Sequence, residues 1–136
     1  MSVFLADEQE DPIEVEPLRR LAELVMEAER LPQNAEATIL LVGEQQIADY
    51  NERFMGRSGP TDVLAFPLEQ LTPGRVPTRP ADGPPLNIGD VVVAPSVVRR
   101  QAAEAGVSLE DELSLMVVHG LLHLLGWEHD GASSSS

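Results

Sequence analysis

The sequence contains no cysteine and no lysine. Without cysteine there is no disulfide frame, no cysteine-ligated zinc and no thiol nucleophile, so any metal chemistry rests on His, Asp and Glu. Without lysine, every basic side chain is one of 9 Arg, set against 23 Asp and Glu for a formal net charge of -14. That balance argues against broad non-specific binding to nucleic acid or to an anionic membrane, both of which call for a positive field. No apolar run approaches the roughly 20 residues needed to cross a bilayer. The opening MSVFLADEQEDP is acidic where a signal or transit peptide would be basic. The expectation is a cytoplasmic protein without membrane partners.

What is present supports one folded unit. The chain has 136 residues and is 43% hydrophobic, within the usual size of a single domain and apolar enough for a core. Residues 1–130 are expected to form one domain. The final GASSSS, within 131–136, reads as a flexible tail or a shortened C-terminus.

Along the chain, a short apolar start precedes Pro17, which fits the first turn of a helix. Leu18, Leu21, Leu24, Val25, Ala28 and Leu31 then recur at helical spacing up to Pro32. Ala37 to Val42 reads as a buried strand closed by Gly43, followed by a helix over Glu44 to Phe54. Gly56, Gly59 and Pro60 break the chain before a strand over Asp62 to Leu68. Five prolines and two glycines in 69–87 predict a long surface loop. Ile88 to Ala94 is the next strand, Pro95 to about Ala105 a helix stopped by Gly106, and Ser108 with Asp111 a capping start for a last helix to about Leu125. The order β-α-β-α-β-β-α-α implies an α+β fold, a small mixed sheet of about four strands with helices packed on it.

The three histidines of the chain, His119, His123 and His129, all fall in HGLLHLLGWEH. His119 and His123 are four residues apart, which places both imidazoles on one helix face as two ligands of one metal require. Gly126 can adopt the left-handed conformation that ends a helix, so the chain can turn back and offer His129 as a third ligand. Three neutral imidazoles leave zinc its full charge and one open position, where a bound water would have its pKa lowered to about 7. The plain alternative is three unrelated histidines, two partly buried and one on the surface. A structural zinc with Glu128 or Asp130 as fourth ligand is a second alternative.

The spacing also matches the metalloprotease run H-E-x-x-H-x-x-G-x-x-H, but Gly120 stands where that class carries its general-base glutamate. The ligand set is present and the peptidase base is missing. Asp62 reads either as a ligand-orienting acid or, more commonly, as a turn acceptor. Asp90 reads as a hydrogen-bond partner for a metal-bound imidazole or as a solvated strand residue.

HGLLHLLGWEHD resembles the signature of the bacterial YbeY family of metal-dependent endoribonucleases. NERFMGRSGPTDVLAFP (51–67) and IGDVVVAP (88–95) resemble that family's other two marked segments, in the same order. The resemblance implies a zinc-dependent hydrolase, a single-strand-specific endoribonuclease acting in ribosomal RNA processing, notably 3′ end maturation of small-subunit 16S RNA, and in ribosome quality control. It implies one zinc per chain on His119, His123 and His129, with ribosomal RNA and ribosomal particles as partners. Family members commonly carry an Arg after the aromatic residue of the second segment, thought to contact substrate phosphate. Here that place is Met55, with Arg53 and Arg57 two residues to either side. Either can fork onto a phosphate, although an exposed Arg at a helix end is the commoner reading, and the glycine-rich turn favours Arg57 over Arg53. Ala65 and Glu128 stand for the family's usual Ser and Asp. A zinc peptidase or amidase, and a non-enzymatic ribosome-assembly module with structural zinc, are the alternatives.

The charge is compatible with an RNA substrate because it is unevenly spread. Residues 1–44 hold 11 acids and 3 Arg, and residues 101–136 hold 6 acids and no Arg, whereas residues 45–100 balance 6 with 6. Binding to naked RNA is expected to be weak, without a broad basic surface.

Overall fold

The computed structural model describes residues 1–73 and 82–127. Its elements run β1 (Ser2–Asp7), α1 (Val15–Ala28), β2 (Ala35–Leu41), α2 (Glu44–Met55), β3 (Val63–Pro67), β4 (Leu86–Val93), α3 (Pro95–Ala105) and α4 (Leu109–Leu124). This is the α+β order read from the sequence. The four strands form one mixed sheet in the order β1-β2-β4-β3. β1, β2 and β4 are mutually parallel, and β3 is an edge strand antiparallel to β4. No helix among the described residues is long and apolar enough to cross a membrane.

Two layers of helix cover the sheet unequally. The main core lies between one sheet face, α1 and α4, and gathers Leu18, Met26, Ile39, Val91, Val117 and Leu121 among others. The second, smaller cluster lies under α2 and joins Ile47 to Leu64 and Val92. α3 closes the end of the sheet, with Val98 in the first cluster and Val97 in the second.

Several boundaries differ from the sequence reading. α1 buries Leu18, Ala22 and Met26, while Leu24 is 58% exposed and Ala28 is exposed as well. Six residues at 100° each set Leu24 far round the helix from Leu18, so a list of apolar residues at three- and four-residue steps had drifted off the buried stripe. The helix stops at Ala28, before Pro32, because Arg30 turns left-handed at φ 60 and its N–H donates to the Glu27 carbonyl. β2 begins two residues earlier than expected, and alternates buried with half-buried side chains where a fully buried strand was expected. β4 also begins earlier, at Leu86, which shortens the expected loop. That loop is not wholly superficial: Leu71 packs against the main core, and the Asn34 side-chain amide donates to the Gly83 and Pro84 carbonyls at 3.4 and 2.9 Å.

Candidate active site

α4 carries the site and also closes the core. Ser108 caps it, its Oγ accepting from the Asp111 N–H at 3.0 Å, and Glu110, Asp111 and Glu112 complement the positive end of the helix dipole. Leu113, Val117, Leu121 and Leu124 turn inward. His119 and His123 leave the helix one turn apart on its less buried side, His119 half-buried and His123 exposed. They stand in the last turns of α4, toward the negative end of the helix dipole, which favours a cation.

Gly120, next to His119 in sequence, lies where α4 meets the sheet. A Cβ there would lie 2.6 and 3.2 Å from the two γ-methyls of Val91 and 3.4 Å from a Val63 methyl. The place of the metalloprotease glutamate is therefore pressed against β3 and β4. Any side chain at this position would start in collision with Val91.

The helix ends in a Schellman turn. The Gly126 N–H donates to the His123 carbonyl and the Trp127 N–H to the Leu122 carbonyl, both at 3.0 Å. Gly126 takes φ 94 as the spacing predicted, and a Cβ on it would sit 2.2 Å from the Leu71 carbonyl oxygen. The turn needs glycine twice over, for its backbone angle and for the segment packed beneath it. Trp127 then fixes the exit of the chain, its indole N–H donating to Glu29 Oε1 at 2.7 Å across to the end of α1. His129, like Glu128 and Asp130, lies outside the described residues, as does the 131–136 segment. Among the described residues no group of three metal-ligating side chains is complete.

Arg57 sits in the exposed turn between α2 and β3. Gly56 ends α2 at φ 67, and the Arg57 N–H donates to the Asn51 carbonyl at 3.2 Å. Asn51 is the organising residue that sequence reasoning missed: it is buried, and its side-chain amide donates to the Gly59 carbonyl at 2.9 Å. An asparagine one turn before a glycine-rich break was the available signal. This turn leads directly into β3, the strand on which α4 packs. Ala65, in place of the family's serine, also lies on the α4 side of β3, against the main core.

The two acids separate cleanly. Asp62 is a turn acceptor, its Oδ1 taking the Val63 N–H at 2.8 Å and the Thr61 hydroxyl at 3.3 Å. Asp90 lies between Gly89 and Val91 on β4, and Val91 faces Gly120 of α4, so alternation turns Asp90 to the opposite sheet face. It is not a partner of the α4 imidazoles. Burial there pushes its carboxyl above the usual carboxylate range.

A family model for Endoribonuclease YbeY matches residues 4–136. The chain belongs to the endoribonuclease YbeY family. The Endoribonuclease YbeY of Thermobifida fusca is 46% identical over 129 residues, covering 95% of this chain and 81% of the relative. That of Acidothermus cellulolyticus is 45% identical over 130 residues, covering 95% and 79%. The solution structure of a Thermotoga maritima protein superposes with a TM-score of 0.62 at 29% identity, over 94% of this chain and 75% of that one. The enzyme class read from the sequence, a hydrolase acting on RNA, is the class for which the YbeY relatives are named.

Proposed function

We propose that this protein is a zinc-dependent, single-strand-specific endoribonuclease that acts in ribosomal RNA processing, at the 3′ end of small-subunit RNA, in the cytoplasm and on ribosomal particles. The observation that carries the reading is the pairing of family membership with two imidazoles one turn apart on α4, followed at once by a glycine-locked reversal of the chain. His119, His123 and His129 would hold the ion. Zinc, when bound, supplies a Lewis acid for a phosphate and an activated water. The protein's own contribution is positional. The packed helix holds the first two imidazoles, His129 would be the third ligand, and Arg57 or Arg53 would steady phosphate charge with a planar fork of donors.

The peptidase alternative is disfavoured by Gly120, whose position leaves no room for the base that reaction needs. The test is twofold. Metal analysis of the purified protein is expected to give about one zinc per chain, lost in His123→Ala, an exposed residue whose truncation leaves the fold intact. Incubation with precursor ribosomal RNA is expected to give cleavage that a chelator and His119→Ala both abolish. A metal-free, folded and RNA-cleaving protein would refute the zinc assignment, and cleavage of an unstructured polypeptide alone would refute the nuclease.

A further inference from the structure

The chain has only five aromatic residues, 3 Phe, 1 Tyr and 1 Trp, and none belongs to the main core beneath α1 and α4. Rings ordinarily dominate cores. Here all three Phe and the Tyr lie on the other face of the sheet. Val3 and Leu5 of β1 face the main core, so alternation turns Phe4 to that second face. Phe4 pairs with Thr38, Thr38 with Asp90, and Asp90 with Phe66, a row that crosses all four strands. α2 covers the next row, Leu40, Val92 and Leu64, and leaves this one partly open.

Phe66 is held against two rings of α2. The Phe54 and Phe66 centroids are 5.6 Å apart and nearly perpendicular, and Tyr50 lies 6.1 Å from Phe54 and 6.4 Å from Phe66. Phe54 is thereby fixed and yet 60% exposed, and Phe4 at the far end of the row is 54% exposed. We propose that this aromatic face, centred on Phe54 and Phe66, is a stacking site for unpaired bases of the RNA strand. The proposal rests on the RNA-cleaving reading and adds a substrate contact on the sheet face opposite α4.

Four observations favour a nucleobase as the occupant. A single-stranded substrate presents flat π-faces that aromatic side chains accept whatever the sequence. Stacking does not depend on a positive field, which suits a chain of net charge -14. Thr38 and Asp90 supply polar groups within the row for base edges, and the exposed Arg53, beside Phe54 in sequence, supplies a cation for the backbone. Finally, β3 joins the two regions. Its Val63 and Ala65 face α4 while its Leu64 and Phe66 face the rings, so a strand passing this sheet edge can touch both.

The test measures binding of a short single-stranded oligouridine and of an abasic oligomer of the same length. Wild-type protein is compared with Phe54→Ala, Phe54→Leu and Phe54→Trp, each checked for an unchanged unfolding midpoint. Phe54→Ala and Phe54→Leu are expected to weaken oligouridine binding about tenfold, about 1.4 kcal/mol. They are expected to leave abasic binding and the salt dependence unchanged, and Phe54→Trp to restore affinity. Equal affinity of wild type and Phe54→Ala for oligouridine overturns the proposal and leaves the face to a protein partner. Cleavage of precursor RNA is scored in parallel. Cleavage that persists with no effect of Phe54 on binding removes the stacking site alone, whereas neither cleavage nor binding of any RNA removes the nuclease reading with it.

Discussion

The substitution Gly120→Ala separates two opposing effects whose sizes the structure supplies. Replacing glycine by alanine inside a helix is ordinarily favourable by about 1 kcal/mol, because the backbone has less freedom to lose. At Gly120 the added methyl would lie 2.6 Å from Val91 Cγ1, about 0.8 Å inside the 3.4 Å at which ordinary contact begins. Val91 is fully buried and β-branched, so its stiff χ1 gives it little freedom to move aside. Overpacking of this kind costs about 1–3 kcal/mol, and the middle of that range exceeds the propensity gain by about 1 kcal/mol. The expected result is net destabilisation, read as a lower midpoint in urea at unchanged m-value, with the transition followed by circular dichroism.

The decisive arm is the same substitution in a Val91→Ala background. Removing both γ-methyls deletes the nearest obstacles, so Gly120→Ala should there become stabilising by about 1 kcal/mol. The change of sign amounts to a coupling of about 2 kcal/mol between residues in direct contact. A penalty of the same size in both backgrounds, or a stabilising effect in the otherwise unaltered protein, would refute the account of Gly120 as the contact by which α4 closes on the sheet. The same geometry forecasts that Gly120→Glu, which rebuilds the metalloprotease run, yields an unfolded or severely destabilised protein and no peptidase activity.

Other outcomes follow from single contacts. Gly126→Ala combines a left-handed backbone with a methyl 2.2 Å from the Leu71 carbonyl oxygen, and should cost about 3 kcal/mol or more in urea unfolding. Trp127→Phe removes the indole hydrogen bond to Glu29 and should cost about 1 kcal/mol, with Glu29→Ala adding little further loss in the double variant. Asp90 has a folded pKa raised above its ordinary 3.8 by burial, so its stability contribution is full below that value and falls as pH rises through the folded value. Asp90→Asn should therefore match the parent protein at acid pH and exceed it in stability at neutral pH, and an Asn variant that is less stable at neutral pH would contradict the burial account.

The parts of the fold legible in sequence are those fixed by local stereochemistry. Ser108 with Asp111, Pro95, Gly106 and Gly126 mark helix ends, and the structure uses each where the sequence put it. What was not legible depends on contacts between distant segments. The drift of the α1 stripe shows this, since the sequence offers Leu24 as readily as Ala22 and only packing against β1 and α4 selects between them. The same holds for the site. The spacing of His119 and His123 is a property of one helix, but the pressing of Gly120 on Val91, the support of Gly126 by Leu71 and the Trp127 to Glu29 bond each join residues far apart in the chain. Charge bookkeeping by segment was too coarse for a related reason. Of the six Arg in 45–100, Arg75 and Arg79 fall outside the described residues, and Arg99 and Arg100 face Asp11 and Glu44 at 3.7 and 2.7 Å.

A motif of this kind is then best understood as packing and chemistry written on one helix. In HGLLHLLGWEH, Gly120, Leu121, Leu124 and Leu125 are buried and Gly126 is locked in the turn, leaving His119 and His123 as the described side chains able to offer donor atoms. The apolar residues set how closely α4 approaches the sheet and therefore where the imidazoles stand relative to β3 and the Arg57 turn. A histidine pair alone could arise on many helices. Two histidines on a helix whose intervening glycine admits the sheet, and whose terminal glycine admits the neighbouring segment, require several independent residues to agree, and that agreement makes the spacing informative about chemistry.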